Sequence, residues 1–180
     1  MAGTNKHYEI LYKLIEAEHS KAQKWKIVDY VLEGQDRFDA LIECFFCGEY
    51  RICQRAAWPL GELGEPRPEW FVKHLPKLIK NLGQKGNHDS INRNTLRLFQ
   101  FVDIPERLEG RLLDKCLFFL MNPEAPIAVR ALGMTIAAKI SRPHPELLTE
   151  LKMIIREQLE HPQPPGIKGR AKKILAIKQD

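Results

Sequence analysis

Four arginines recur at near-equal steps along the chain. Arg55, Arg93, Arg130 and Arg170 are separated by 93 − 55 = 38, 130 − 93 = 37 and 170 − 130 = 40 residues. Each sits in a similar phrase: Ile52-Cys53-Gln54-Arg55-Ala56-Ala57, Ser90-Ile91-Asn92-Arg93-Asn94-Thr95, Ile127-Ala128-Val129-Arg130-Ala131-Leu132 and Ile167-Lys168-Gly169-Arg170-Ala171-Lys172. A guanidinium is a planar fork of donors, so a column of them is suited to grip phosphates or the carboxylates of an acidic peptide. Glu49 and Glu124 precede Arg55 and Arg130 by the same interval (55 − 49 = 130 − 124 = 6), whereas Asn87 and Pro164 stand at the corresponding places before Arg93 and Arg170. Arg97, Lys139 and Lys173 lie outside the repeating position and, with Arg93, are the residues expected to bind a partner.

Other reactive side chains form no recognisable site. Cys44-Phe45-Phe46-Cys47 is a CxxC with Cys53 nearby, and Cys116 is remote. A zinc site would need a second pair or two histidines at ligand spacing, and a redox pair would need a strand–helix context. The cysteines are therefore expected to be reduced, small, apolar core residues. His7, His19, His74, His88, His144 and His161 are scattered and form no i, i+4 pair, so solvated or capping roles are expected. Gly83-Gln84-Lys85-Gly86 lacks the spacing of a phosphate loop, and there is no nucleophile elbow. No metal, no cofactor and no catalytic activity are expected.

The elements that position these residues read as helices from end to end. Apolar residues recur at helical spacing in ten segments, for instance Tyr8-Leu11-Tyr12-Leu14-Ile15 in the first and Leu147-Leu151-Ile154-Ile155-Leu159 in the ninth. Ser20 is placed to cap the second helix. The fifth is expected to run unbroken from Trp70 to Leu82 and to end on a left-handed Gly83. Leu78 and Leu132 are assigned to inter-helix contact. Breakers at Gly34, Gly48, Gly64–Pro68, Gly83–Asn87, Pro123–Pro126, Pro143–Pro145 and Pro162–Gly166 separate the helices, and none is long enough for a linker. The helices pair into five hairpins, and residues 1–180 are expected to form a single domain.

Composition narrows the class. Of 180 residues 44% are hydrophobic and 28% charged, a globular balance. The formal charge of +5 permits an acidic partner, but no run of like charges is long enough to mark a dedicated nucleic-acid domain. No stretch is apolar for the length of a bilayer, and Met1–Asn5 is short and polar. A cytoplasmic location without membrane contact is the expectation.

The phrase Arg55-Ala56-Ala57-Trp58-Pro59-Leu60-Gly61-Glu62-Leu63-Gly64 resembles the second helix of a HEAT repeat, and His74-Leu75-Pro76-Lys77-Leu78-Ile79 resembles the first, with its mid-helix proline. The resemblance is clear over residues 36–141 and weaker toward both ends. It implies an all-α fold, a right-handed α-α superhelix (solenoid) of about five HEAT-like helix pairs, stabilised by stacking. It further implies a structural ladder in which Arg55, Arg93, Arg130 and Arg170 bond acidic residues such as Glu49 and Glu124 and loop carbonyls of neighbouring units, and a non-catalytic binding scaffold that presents a concave groove to a protein or peptide partner. The alternative is a nucleic-acid-binding solenoid related to the helical-repeat DNA glycosylases, which place an acidic residue beside aromatics in a concave cleft. Trp25 and Asp29, one turn apart, match that pattern in residue type only. The expected arrangement there is a core tryptophan and an exposed carboxylate.

Overall fold

The computed structural model describes residues 6–178, and Met1–Asn5 lie outside it. Ten α-helices follow one another: α1 Lys6–Ala17, α2 Lys21–Leu32, α3 Gln35–Phe45, α4 Tyr50–Leu63, α5 Leu75–Asn81, α6 Asp89–Leu98, α7 Glu106–Met121, α8 Ile127–Ser141, α9 Pro145–Glu160 and α10 Pro165–Leu175. There is no strand among the described residues. Capping chemistry sets several boundaries. Ser20 is extended and its Oγ accepts the Gln23 N–H at 3.1 Å, opening α2 as expected. Beyond α5, Gly83 adopts φ +70 and its N–H donates to Asn92 Oδ1 at 3.0 Å, which ties this corner to α6.

The fifth helix departs from expectation. It is split into a 3-10 segment, Pro68–His74, and the short α5. The cause is proline chemistry. Pro76 has no N–H to donate to the carbonyl one turn back, and its ring crowds that carbonyl, so it is tolerated only in the first turn. The α-helix therefore starts at Leu75, and Pro68 opens the tighter segment before it.

The even-numbered helices form one row, with α2 against α4, α4 against α6, α6 against α8 and α8 against α10. The odd-numbered helices cover the outer side, with α1 on α3 and α5 on α7. The α4–α6 contact is a close one. A Cβ on Gly64 would stand 2.8 Å from Leu98 Cα, so any larger residue there would push the two helices apart. One apolar cluster runs from Leu11 on α1 to Ile174 on α10, with Phe38, Phe45, Phe71 and Phe99 fully enclosed. Each helix pair buries its apolar face against the next pair, as a stacked repeat requires.

One assignment to the core is refined and one corrected. Leu132 is half-buried: it packs against the core cluster as expected, but part of it also lines an open recess beside α8. Trp25 is 43% exposed rather than enclosed. Its ring lies under the Lys24 ammonium, 3.7 Å from the ring centroid, so a cation supplies part of its cover.

Candidate functional site

The inner face holds a recess of about 580 Å³ lined by Trp58 of α4, Arg93, Asn94 and Arg97 of α6, Gln100 and Phe101 just beyond it, Leu132 of α8 and Arg170 of α10. Side chains from four even helices can meet in one recess only if the even row is the inside of the curve. Two of the four ladder arginines, Arg93 and Arg170, line the recess, and the four do not act alike.

Arg55 and Arg130 are bonded within the fold. Arg55 donates from one terminal nitrogen to the carbonyls of Ile15 at 3.2 Å and Glu16 at 2.7 Å. These are free carbonyls in the last turn of α1, where a cation also meets the negative end of the helix dipole. Arg130 is 3% exposed. Its Nε donates to Leu120 O at 3.4 Å, in the last turn of α7, and a terminal nitrogen donates to Gln163 Oε1 at 3.0 Å and Gln158 Oε1 at 3.4 Å.

The expected acidic partners are corrected. Glu49 and Glu124 are exposed, and neither bonds an arginine. Glu49 sits at the N-cap of α4, and Glu124 precedes α8. A carboxylate there is drawn to the positive end of its own helix, while the arginine further along reaches a different helix's carboxyl end.

Lys139 is also corrected. Its ammonium donates to the carbonyls of Phe99 at 3.3 Å, Gln100 at 3.3 Å and Val102 at 2.7 Å. It closes the end of α6 and is not available to a partner. Burial lowers its pKa, partly offset by the negative charge of Asp103.

Arg97 is engaged on one side. It donates to Glu62 Oε2 at 2.9 Å, while Glu62 Oε1 accepts from Lys24 Nζ at 3.0 Å. Lys24 and Glu62 are largely buried, whereas Arg97 remains 43% exposed and lines the recess. The Lys24 ammonium also lies 5.0 Å from the Trp58 ring centroid, and His19 meets the same ring edge-on at 5.7 Å. This chain of contacts holds the indole at the recess wall.

Arg93 and Arg170 have no hydrogen bond or ion pair among the described residues. Arg93 is exposed and Arg170 half-buried, and both line the recess. Lys173 is exposed on α10 but is not part of the lining. Asp29 is exposed, and neither it nor Trp25 reaches the recess. The acid that stands beside an aromatic on the inner row is instead Glu62, one turn from Trp58.

Glu62, Lys24, Trp58, Phe101 and Leu132 were not anticipated as site residues. A signal for three of them exists in the sequence: Trp58 and Glu62 are one turn apart, and Lys24, Glu62 and Arg97 follow at steps of 62 − 24 = 38 and 97 − 62 = 35, close to the repeat period. No group of three or more histidine, cysteine or acidic side chains is arranged to hold a metal ion among the described residues. No helix of the described residues is long and apolar enough to cross a membrane.

The packing of helix pairs into one curved row defines a helical-repeat solenoid. The chain matches the family model described as HEAT repeat domain over residues 4–178, and it belongs to that family. HEAT repeats generally mediate protein interactions, and the family is typically a non-catalytic scaffold. No curated protein and no solved structure matches the chain.

Proposed function

We propose that the chain is a non-catalytic binding scaffold whose inner recess takes an acidic peptide segment anchored by one large apolar side chain. The observation that carries this reading is the pair of uncommitted guanidiniums, Arg93 and Arg170, at a recess whose apolar lining is Trp58, Phe101 and Leu132. The apolar surfaces receive the anchor, and the guanidiniums bond carboxylates beside it in paired geometry. Arginine and tryptophan dominate the energetics of protein interfaces for the same reason: each combines a large contact area with directed donors.

The alternative of a nucleic-acid-binding solenoid draws on the absence of any acidic residue from the lining. Magnitude weighs against it. Binding to duplex DNA typically rests on roughly 6 to 10 phosphate contacts. Arg55, Arg130 and Lys139 are consumed by carbonyls and glutamines, and Arg97 is shared with Glu62. Of the ladder and recess arginines, that leaves Arg93 and Arg170 uncommitted, short of such a count.

The test is selection from an unbiased displayed-peptide library on the wild-type chain, with the Arg93→Glu/Arg170→Glu variant as counter-selection. Enrichment of sequences with aspartate or glutamate flanking an aromatic residue or leucine is expected. No enrichment, together with submicromolar binding of a DNA oligonucleotide at physiological salt, would replace this reading with the nucleic-acid one. The compartment that fits the proposal is the cytoplasm, whose thiol pools keep unpaired cysteines mainly reduced.

A further inference from the structure

The turn between α3 and α4 brings together two thiols that the CxxC spacing does not pair. Cys47 Sγ lies 4.0 Å from Cys53 Sγ. Both side chains are half-buried and so within reach of a small reagent, and Cys53 also lines a shallow recess with Phe46, Gly48 and Tyr50. Cys44, the other half of the CxxC, is enclosed. Its Sγ points at the Tyr8 carbonyl at 4.0 Å, and burial pushes its thiol up to about 12. Cys116 is remote on α7 and buried. The structure thus separates one accessible pair from two inert thiols.

The geometry of the turn favours closure. Cys47 follows the last residue of α3 by two positions and is outside any helix, and Gly48 beside it adopts φ +87, a conformation that lets the chain reverse tightly. Cys53 is in the first turn of α4. The sulfurs must approach by about 2 Å to reach bonding distance. That movement falls on a non-helical residue next to a glycine rather than on either helix.

We propose that Cys47 and Cys53 are a reversible disulfide-forming modification site that staples the α3–α4 turn under oxidising conditions. A low-molecular-weight disulfide such as oxidised glutathione is the oxidant. The Cys47 thiolate, in the turn, attacks one glutathione sulfur and expels the first glutathione as a thiolate, leaving a mixed disulfide. The Cys53 thiolate then attacks the Cys47 sulfur of that mixed disulfide and expels the second glutathione. Two protein thiols are oxidised to one disulfide, one glutathione disulfide is reduced to two glutathione molecules, and the two protons leave on them. Burial raises the Cys53 thiol, so attack by Cys53 is the slower step, and its proximity to Cys47 compensates.

The sequence supplies a direct readout. Trypsin cleaves after Arg51, between the two cysteines, so the bond joins the fragments 38–51 and 52–55, which otherwise separate. The full chain is equilibrated with oxidised glutathione, alkylated and digested, and the products are weighed. The expected result is the joined pair of fragments, loss of two alkylatable thiols, and full reversal by dithiothreitol. Cys44→Ser should leave this unchanged. Cys47→Ser should prevent both closure and glutathione addition at the turn, whereas Cys53→Ser should stop at the mixed disulfide on Cys47. A Cys44–Cys47 bond, a mixed disulfide that persists in the wild type, or four thiols that remain alkylatable throughout would each overturn the proposal.

Discussion

Arg55 and Arg130 hold the same place in the repeat as Arg93 and Arg170, but the first two are tied to carbonyls and the last two are open on the recess. The difference lies in the helix ends around them. The last turns of α1 and α7 leave carbonyls at Ile15, Glu16 and Leu120, which receive Arg55 and Arg130. The end of α5, in the unit of Arg93, is already satisfied: Gln84 Nε2 donates to Lys80 O at 2.9 Å and Asn87 Nδ2 to Asn81 O at 2.7 Å. The end of α9, in the unit of Arg170, is satisfied in the same manner by Gln163 Nε2 on Gln158 O at 2.8 Å. Those two ends belong to the arginines' own pairs, as α7 does for Arg130, whereas Arg55 reaches α1 in the preceding pair, so the repeating position has no single fixed partner. The same repeat position is therefore spent on carbonyls at Arg55 and Arg130 and open on the recess at Arg93 and Arg170.

Mutations can break this comparison at different strengths. The largest effect is expected in the core that both halves share. Leu78 is fully buried, and Leu78→Ala should cost about 2 to 5 kcal/mol through lost transfer energy and the cavity left behind. Leu132→Ala, at the half-buried recess wall, should cost well under this while weakening peptide binding; urea unfolding of both variants separates them. Next comes Arg130→Ala, which removes a buried charged donor from three acceptors and should cost about 2 kcal/mol. Arg93→Ala should leave the unfolding midpoint in place, and equal losses for the two would erase the distinction.

The smallest effect is a pH dependence at Lys139. Its pKa in the fold is lowered by burial relative to the ordinary 10.5. As pH rises through the folded value toward 10.5, the folded state releases its proton before the unfolded state does. The unfolded state then binds more protons, so stability rises with pH in that window. Wild type should show this alkaline gain relative to Lys139→Met, and parallel pH profiles would show that the ammonium carries no such penalty.

Much of the fold was legible in the sequence because periodicity and punctuation are local signals. Ser20, Gly83 and the repeated arginine phrase mark helix ends and phase directly. The split before α5 was missed because a mid-helix proline fits the family phrase as well as it fits a first turn, and the preceding Pro68 decides between them. The site was legible only in part. Arg93 and Arg97 are at the recess, and so is Arg170, which had been assigned to the ladder. Lys139 was misplaced because the carbonyls it closes, at Phe99, Gln100 and Val102, belong to the turn after α6 and lie some 40 residues away in sequence. Glu62 and Lys24 escaped notice because each is an ordinary charged residue until the stacking of α2, α4 and α6 brings them together. Cys47 and Cys53 were hidden by the more familiar CxxC beside them.

The central claim is that the ladder is divided between stacking and binding, and paired measurement of melting and affinity tests it most directly. A peptide recovered from the display selection is titrated by fluorescence anisotropy against wild type, Arg130→Ala and Arg93→Glu/Arg170→Glu, and each preparation is also melted. The account predicts that Arg130→Ala lowers the melting temperature and binds normally below it. The double variant should melt as wild type does and lose about tenfold or more in affinity, the equivalent of about 1.4 kcal/mol. A double variant that binds normally, or one that loses binding only because it no longer folds, would contradict the division.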